Sequence, residues 1–342
     1  MTLLTTLQQT LSYHAIEPHF GTEKPNDVND ISGVTFNGCQ CDKVGTLCVV
    51  VSPYVRSRSR RLQSIELSTT NPCYKPALSS TSIMADSYLI LAINAGSSSL
   101  KLSLYSTTGT GEDPKEIAVA EVTSLSAPPA SLKYTVHPHE TDKTSKVPSD
   151  VTDPDAAFKF LLDKLIHDSD LPQLKQREDV RYACHRIVHG GDFGKVHVID
   201  RSTFHALEEL SDLAPLHNAT GLAIVRTVHE ELPKCTNMAY FDSQFHATIP
   251  KHIRTYAIDQ KVAEKNKLRK YGFHGISYAF ITRAVARYLG KEAGELNMIA
   301  LHLGSGASAC CVKEGKSLDT TMGLTPVSGL PGGSRSGDVD PR

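Results

Sequence analysis

The sequence of 342 residues has no Trp and almost no net charge: 36 Lys and Arg face 37 Asp and Glu, leaving −1. A chain so balanced has no global field to draw in nucleic acid or an anionic membrane. Apolar runs of about 18 residues, the length a membrane span needs, are missing; the longest candidates, near 47–51 and 89–93, are strand-sized. The first basic residue is Lys24, so the basic start of a secretory signal is lacking too. The 8 Cys follow no regular spacing, which fits reduced thiols in a cytoplasmic protein rather than a disulfide framework. Cys39-x-Cys41 with Cys48 has no His or Cys following at finger spacing, which disfavours zinc. Neither the G-x-x-x-x-G-K-[ST] loop nor a G-x-G-x-x-G after a strand occurs, which disfavours P-loop and Rossmann proteins.

What is present divides near residue 84. Residues 1–83 mix short apolar scraps with Ser, Thr, Asn and Pro, and include the run Arg56-Ser57-Arg58-Ser59-Arg60-Arg61. Such a segment buries too little apolar surface to offset its ordering entropy. It reads as a disordered or misassigned leader, with Met84 a natural start for the domain that follows. The Arg/Ser run would suit RNA or an acidic partner, but a solvated leader is the plainer reading.

From Met84 the pattern is globular. Residues 88–94 read as a buried strand, 95–99 as a turn, and 100–105 as a half-exposed strand, together a hairpin. Asp153-Pro154 opens a helix with a cap and a first-turn proline, and Phe158, Leu161, Leu162, Leu165 and Ile166 form its apolar stripe. Strands are expected at 182–188, 238–241, 298–303 and 307–312, and helices at 202–213, 220–232 and 277–289, the last stopped at Gly290. Mixed strands and helices with two hairpins indicate an α/β fold that is not purely parallel. Ala92–Ser97 laid over Ala300–Ser305 matches at Ala, Gly and Ser, both windows reading strand, tight turn, strand. That echo suggests two similar lobes, each offering a small-residue turn to a common cleft.

Small turns let backbone N–H groups wrap an anion, with Ser hydroxyls adding donors. The turns at 96–99 and 304–308 are therefore either phosphate cradles or ordinary hairpin turns. Arg186 lies in a β-like run where an unpaired guanidinium is costly to bury; it is either a structural ion pair or a clamp for a carboxylate or phosphate. Asp242 sits at a strand tip, as a magnesium or catalytic carboxylate does. His274 is close to Gly272 and Gly275, and Arg335 lies in a Gly/Ser loop able to bring a cation onto a transferring phosphoryl group.

Taken together and in order, these segments resemble the acetate kinase family, within the actin, sugar-kinase and heat-shock-protein superfamily of duplicated ATPase folds. The matching stretches are Ile93-Asn94-Ala95-Gly96-Ser97-Ser98-Ser99-Leu100-Lys101, His185-Arg186-Ile187-Val188-His189-Gly190-Gly191 and Leu213-Ala214-Pro215-Leu216-His217-Asn218. They continue through Phe241-Asp242-Ser243-Gln244-Phe245-His246, the stretches 270–275 and 302–308, and Met322-Gly323-Leu324-Thr325-Pro326 to Arg335-Ser336-Gly337-Asp338. The resemblance implies a duplicated, ribonuclease-H-like, two-lobed acetate and sugar kinase fold. Residues 84–242 would form the first lobe and 243–342 a partial second, nucleotide-side lobe.

It also implies interconversion of ATP plus acetate with ADP plus acetyl phosphate, using magnesium. Carried over by motif, Asn94 belongs to the magnesium region and Lys101 to nucleotide phosphate binding. Arg186, His217 and Phe273 would bind substrate, Asp242, His274 and Arg335 would carry catalysis, and His302, Leu303, Gly304, Ser305 and Gly306 would contact ATP. Acetate is already ionised near neutrality, its pKa being like that of side-chain carboxyls at about 4. Asp242 is therefore expected to orient magnesium or the acceptor rather than to remove a proton. The resemblance further implies a cytoplasmic homodimer.

The sequence departs from the family at several positions. Ser305 stands where many relatives have Asn, Ile276 where Thr is usual, and Tyr278 where a second His is usual. The chain ends after the Arg335 loop, so the second lobe is expected to be incomplete, with Ile299, Leu301 and Leu303 poorly covered. Two other readings stand beside acetate kinase: a non-catalytic remnant that binds phosphate ligands or a partner, and a kinase for propionate or butyrate.

Overall fold

The computed structural model describes residues 47–51, 87–109, 113–127, 129–138, 145–210 and 215–340, of which 47–51, 145–146 and 215–217 are described by backbone alone. Strand β1 (Leu47–Val51) precedes β2 (Tyr88–Ala95) and β3 (Leu100–Thr107), which form the expected hairpin with Ala95 opposite Leu100. The antiparallel run continues through β4 (Lys115–Thr123), β5 (Ser131–Val136) and β6 (Ser145–Lys146). Helix α1 (Pro154–Ile166) leads to β7 (Val180–Ile187) and β8 (His197–Val198), then to α2 (Arg201–Glu209), α3 (Pro215–Glu231) and β9 (Thr236–Phe241). Short helices α4 (Lys251–Arg254) and α5 (Gln260–Lys265) precede α6 (Gly275–Leu289), and β10 (Met298–Leu303), β11 (Ala307–Lys313) and β12 (Lys316–Thr320) follow.

The strands form two mixed sheets, one of eight strands in the order β6-β5-β4-β3-β2-β7-β9-β8 and one of four in the order β1-β10-β11-β12. In the larger sheet β2, β7 and β9 run parallel, so Ala95, Ile187 and Phe241 bring their C-terminal ends to one edge. That edge is where open α/β sheets carry their ligands.

Alternation along β2 shows why this hairpin is the centre. Leu89, Leu91 and Ile93 point into a core shared with α1 and α3, while Ile90 and Ala92 pack on Cys184, Met238, Tyr240 and Ile276 on the other face. The period of two sends both sets inward because both faces are covered. For the same reason β3 is not half-exposed as expected: Lys101, Ser103 and Tyr105 are buried along with its three leucines.

The Asp153 side chain accepts the Ala156 N–H at 2.8 Å, capping α1. Phe158, Leu161, Leu162 and Leu165 are fully buried beneath the large sheet, and Ile166 packs at its rim. Each such side chain contributes about 1.5–3 kcal/mol of burial. Helix α6 carries a second core, its Tyr278, Ile281 and Val285 facing Met298, Ala300, Cys310 and Val312 of the small sheet. It ends at Gly290 in the left-handed region, φ 62°, as the glycine predicts.

Some boundaries moved. Helix α3 starts at Pro215, five residues before the expected start, with proline in the position where its missing N–H costs nothing. Helix α2 ends at Glu209 rather than 213, and residues 211–214 lie outside the described residues. Within the segment read as a leader, only Leu47–Val51 is described, and it is a strand parallel to β10, with Leu47 opposite Met298. The remainder of that segment, the Arg56 run included, lies outside the described residues, as does Met84. Ile299, Leu301 and Leu303 on β10 are half-buried.

Candidate functional site

Arg186 stands near the C-terminal end of β7 and Asp242 immediately follows β9, so two neighbouring parallel strands deliver them together. The Arg186 guanidinium donates from Nε and Nη2 to Asp242 Oδ1 and Oδ2, at 3.2 and 2.7 Å, and from Nη1 to Asn94 Oδ1 at 3.1 Å. This fork leaves little freedom to the cation. The adjoining carboxylate holds the Arg186 pKa above its ordinary value, against the opposing effect of burial. Asp242 is 2% exposed, and its backbone is tied on both sides: its N–H donates to the Ile187 carbonyl at 3.1 Å, and its carbonyl accepts the Gly275 N–H at 2.8 Å. Of the two readings left open for Arg186, the ion pair is therefore real, and it sits in the cavity wall.

The second contact explains Gly275. A Cβ there would lie 2.2 Å from the Asp242 carbonyl oxygen, so only glycine lets the start of α6 close onto the tip of β9. His274, just before it, adopts φ 60° as the N-cap of α6. Its ring stacks on His302 with centroids 4.0 Å apart, and its Nδ1 lies 2.8 Å from Ser308 Oγ. His302 in turn has its Nδ1 2.9 Å from Ser277 Oγ. Burial holds both imidazoles neutral: His302 is lowered to about 4 and His274 well below its usual value, with the neighbouring His302, Arg186 and Arg335 adding to the effect at His274.

Arg335 reaches the same place from the C-terminal loop, and that loop is fastened to the β10–β11 turn. Gly333 N–H donates to the Gly304 carbonyl at 3.1 Å, and Ser334 donates to the Ser305 carbonyl from N–H at 3.0 Å and Oγ at 3.1 Å. A Cβ on Gly306 would lie 2.1 Å from Arg335 Nη1 and 3.3 Å from His274 Nε2, so the bare α-carbon of Gly306 makes room for the guanidinium. Arg335 makes no ion pair among the described residues. Desolvation and the nearby Arg186 lower its pKa from the ordinary value, though a guanidinium keeps its charge in proteins.

These groups enclose a cavity of about 210 Å³, lined by Ala95, Gly96, Ser97, Arg186, Val188, Thr220, Asp242, Phe273, His274, Pro326 and Arg335. Of the residues expected from sequence, Arg186, Asp242, Phe273, His274 and Arg335 meet here, with the 96–99 turn beside them. Asn94 joins through Arg186, His302 through the His274 ring and Gly306 through Arg335. Gly304 and Ser305 hold the Arg335 loop, and Leu303 ends β10 beside them. Lys101 does not line the cavity; it is buried on β3, opposite Asn94 on one side and Glu121 on the other. The side chain of His217 lies outside the described residues. Its neighbour Asn218 is fully buried and laces α3 to the end of β7, accepting the His189 N–H at 3.0 Å and donating to the His189 carbonyl at 2.9 Å.

Sequence reasoning missed Val188, Thr220, Pro326, Ser277 and Ser308 as individual contributors. Val188, Pro326 and Ser308 fall inside the quoted motif stretches, whereas nothing local marks Thr220. The oxygen donors suited to magnesium are the Asp242 carboxylate and the Asn94 amide, both engaged by Arg186 through only part of their lone pairs. Among the described residues no group of three His, Cys, Asp or Glu is placed to cage a metal. A hard cation bound here would take one carboxylate, that of Asp242, from the protein.

The sequence pattern of the Acetokinase family matches residues 89–342. A probable acetate kinase of Chaetomium globosum is 56% identical over 253 residues, covering 74% of this chain and 55% of that protein. The chain thus spans about half the length of this curated relative. Among solved structures, the acetate kinase of Porphyromonas gingivalis superposes with a TM-score of 0.63 at 33% identity, covering 74% of this chain and 62% of that one. A propionate kinase from Francisella tularensis gives 0.64 at 32% identity over the same shares.

Proposed function

The chain belongs to the acetokinase family, and from that premise we propose that its site transfers a phosphoryl group reversibly between ATP and acetate, giving ADP and acetyl phosphate. The observation that supports this most is the pairing of two guanidiniums at one small cavity, with a single carboxylate to offset them. A carboxylate and a transferring phosphoryl group together supply the missing negative charge. Both acceptors are planar or near-planar oxygen arrays that suit guanidinium donors.

In this reading Asp242 fixes the Arg186 fork so that its outer edge meets the acetate carboxylate, while Val188, Phe273 and Pro326 accept the methyl group. Arg335 and the Nε2 side of His274 face the equatorial oxygens of the phosphoryl group, where charge develops in the loose transition state. The turns at 96–99 and 304–306 offer backbone donors to the nucleotide phosphates, with Lys101 supporting the first of them. His217 joins the substrate side. Asp242 and Asn94 would hold magnesium, which when bound offsets charge on the nucleotide phosphates. No general base is needed, since acetate is already ionised. The apolar wall also admits a slightly longer acid, which the propionate kinase similarity favours as a second reading. The four described cysteines are free thiols, and no described helix is long and apolar enough to cross a membrane; with these we take the protein to be cytoplasmic, and homodimeric as the resemblance implies.

Trapping acyl phosphate with hydroxylamine in the presence of ATP, magnesium and acetate tests the reading. Arg335→Ala is the sharper variant, because it leaves no buried carboxylate unpaired, as removal of Arg186 would. Turnover should fall about a thousandfold or more, in the range seen when a phosphoryl-stabilising arginine is lost. Acyl phosphate formation that is unchanged in Arg335→Ala would remove Arg335 from the chemistry, and a wild-type chain that forms none would overturn the activity.

A further inference from the structure

Tyr278 stands where the family usually carries a second histidine, and its role is not explained by the site as described. It is fully buried on α6, and its hydroxyl is hydrogen-bonded to Ser308 Oγ, the same oxygen that contacts His274 Nδ1 at 2.8 Å. Three polar groups thus form one buried chain: phenol, serine hydroxyl, imidazole.

The protons of this chain can be placed by counting. Ser308 has one proton to give, and the phenol has one. If His274 carried its proton on Nδ1 and donated to Ser308, the serine proton would have to go to the phenol oxygen, and the phenol proton would have no acceptor. Alternatively the serine would accept twice and its own proton would be stranded. Either way a donor is left buried without a partner, a cost of about 1–3 kcal/mol. One arrangement satisfies the phenol, the serine and Nδ1 together: Tyr278 donates to Ser308, and Ser308 donates to His274 Nδ1, leaving the Nε2 side open to the cavity. With Nδ1 accepting, the neutral imidazole must carry its proton on Nε2, the atom that faces Arg335 beside the Gly306 α-carbon.

We propose that Tyr278 is a positioning residue which, through Ser308, fixes His274 as the Nε2–H tautomer and so aims a neutral hydrogen-bond donor into the cavity. The tautomer stands on the hydrogen-bond geometry alone; that the donor meets a phosphoryl oxygen rests on the phosphoryl-transfer reading above. A histidine at 278 would not impose the direction in the same way, because an imidazole can itself present either an acceptor or a donor.

The test is nitrogen-15 NMR of the full chain labelled at histidine, with the His274 signals identified by their disappearance in His274→Asn. In the wild type, His274 Nδ1 should resonate as an unprotonated, accepting nitrogen and Nε2 as a protonated one. Tyr278→Phe frees the serine to donate or accept, so both tautomers populate and the two shifts converge; kcat should fall twofold to tenfold with the KM for acetate unchanged. Ser308→Ala should give the same convergence. A wild-type proton on Nδ1 overturns the proposal by itself, whatever the variants do, as does a Tyr278→Phe spectrum identical to wild type. Absence of turnover in the wild type would sink the activity and leave the spectrum to decide the tautomer.

Discussion

At the residue scale, the site depends on where side chains are absent. Gly306 and Gly275 share no conformational strain: neither has a positive φ, so each is required for space alone. Adding a methyl group at Gly306 places it 2.1 Å from the Arg335 guanidinium, which must then swing away, since the carbon cannot. Gly306→Ala should therefore keep the fold, by near-unchanged circular dichroism and melting, while reducing kcat about tenfold or more as Arg335 leaves the phosphoryl position. Equal loss of activity and of folding would show instead that the glycine serves the turn. Arg186 and Asp242 were legible in the sequence because a charged side chain at a buried strand end is costly without a purpose, and Arg335 because its Gly/Ser loop can carry a cation to a phosphoryl group. Their pairing was not: the Arg186–Asp242 fork joins residues on separate strands, and the Tyr278–Ser308–His274 chain joins a helix, a strand and a cap. Local sequence carries no signal for such contacts.

At the scale of the element, helices with marked ends were the easiest to read. Asp153 and Pro154 start α1, and Gly290 stops α6, because each has a backbone preference that acts locally. The cap of α1 should be separable from its packing. Asp153→Ala removes the acceptor for the Ala156 N–H and should cost about 1 kcal/mol, whereas Leu161→Ala, deep in the core with α3 and the large sheet, should cost about 2–5 kcal/mol. Urea unfolding of the two variants checks the order; a cap variant costing as much as the cavity variant would mean that Asp153 does more than cap. Strands β4 and β5 went unread. In β4 the residues Ile117, Ala118, Val119 and Ala120 are buried in succession, so both faces are covered and no period of two marks the strand. The error over β3 has the same origin: polar Lys101 and Ser103 imitate a solvent face, but that face is buried, with Ile276 of α6 in the cluster packed on it. Alternation reports polarity, and exposure follows only when nothing packs on that side.

Across the whole molecule, a set of buried neutral imidazoles ties the two sheets to their surroundings. His185 donates from Nε2 to Asn237 at 2.8 Å between β7 and β9. His246 donates from Nε2 to the Phe273 carbonyl at 2.9 Å and accepts from Ser317 at 2.8 Å, joining the site loop to β12. His189 accepts the Gly191 N–H at 3.0 Å and donates to the Leu324 carbonyl at 3.3 Å. With His302 stacked on His274, four histidines are pushed down to about 4, chiefly by burial. In the unfolded chain each returns to about 6.5. Between those values the unfolded state binds more protons than the folded one, so stability is complete above about pH 6.5 and is lost as pH falls toward 4. Each group contributes a slope of up to about 1.4 kcal/mol per pH unit in that window. The fraction between pH 6.5 and 5 belongs to histidine, since carboxylates, with pKa about 4, act lower. Urea midpoints measured at pH 7.5, 6.5, 5.5 and 5 should be level across the first pair and then fall steeply. His185→Gln, which keeps a donor toward Asn237 without a titrating ring, should flatten part of the fall. A midpoint that holds constant down to pH 5 would mean that these imidazoles open to water at little cost, and that the lacing around the sheets is looser than the hydrogen bonds describe.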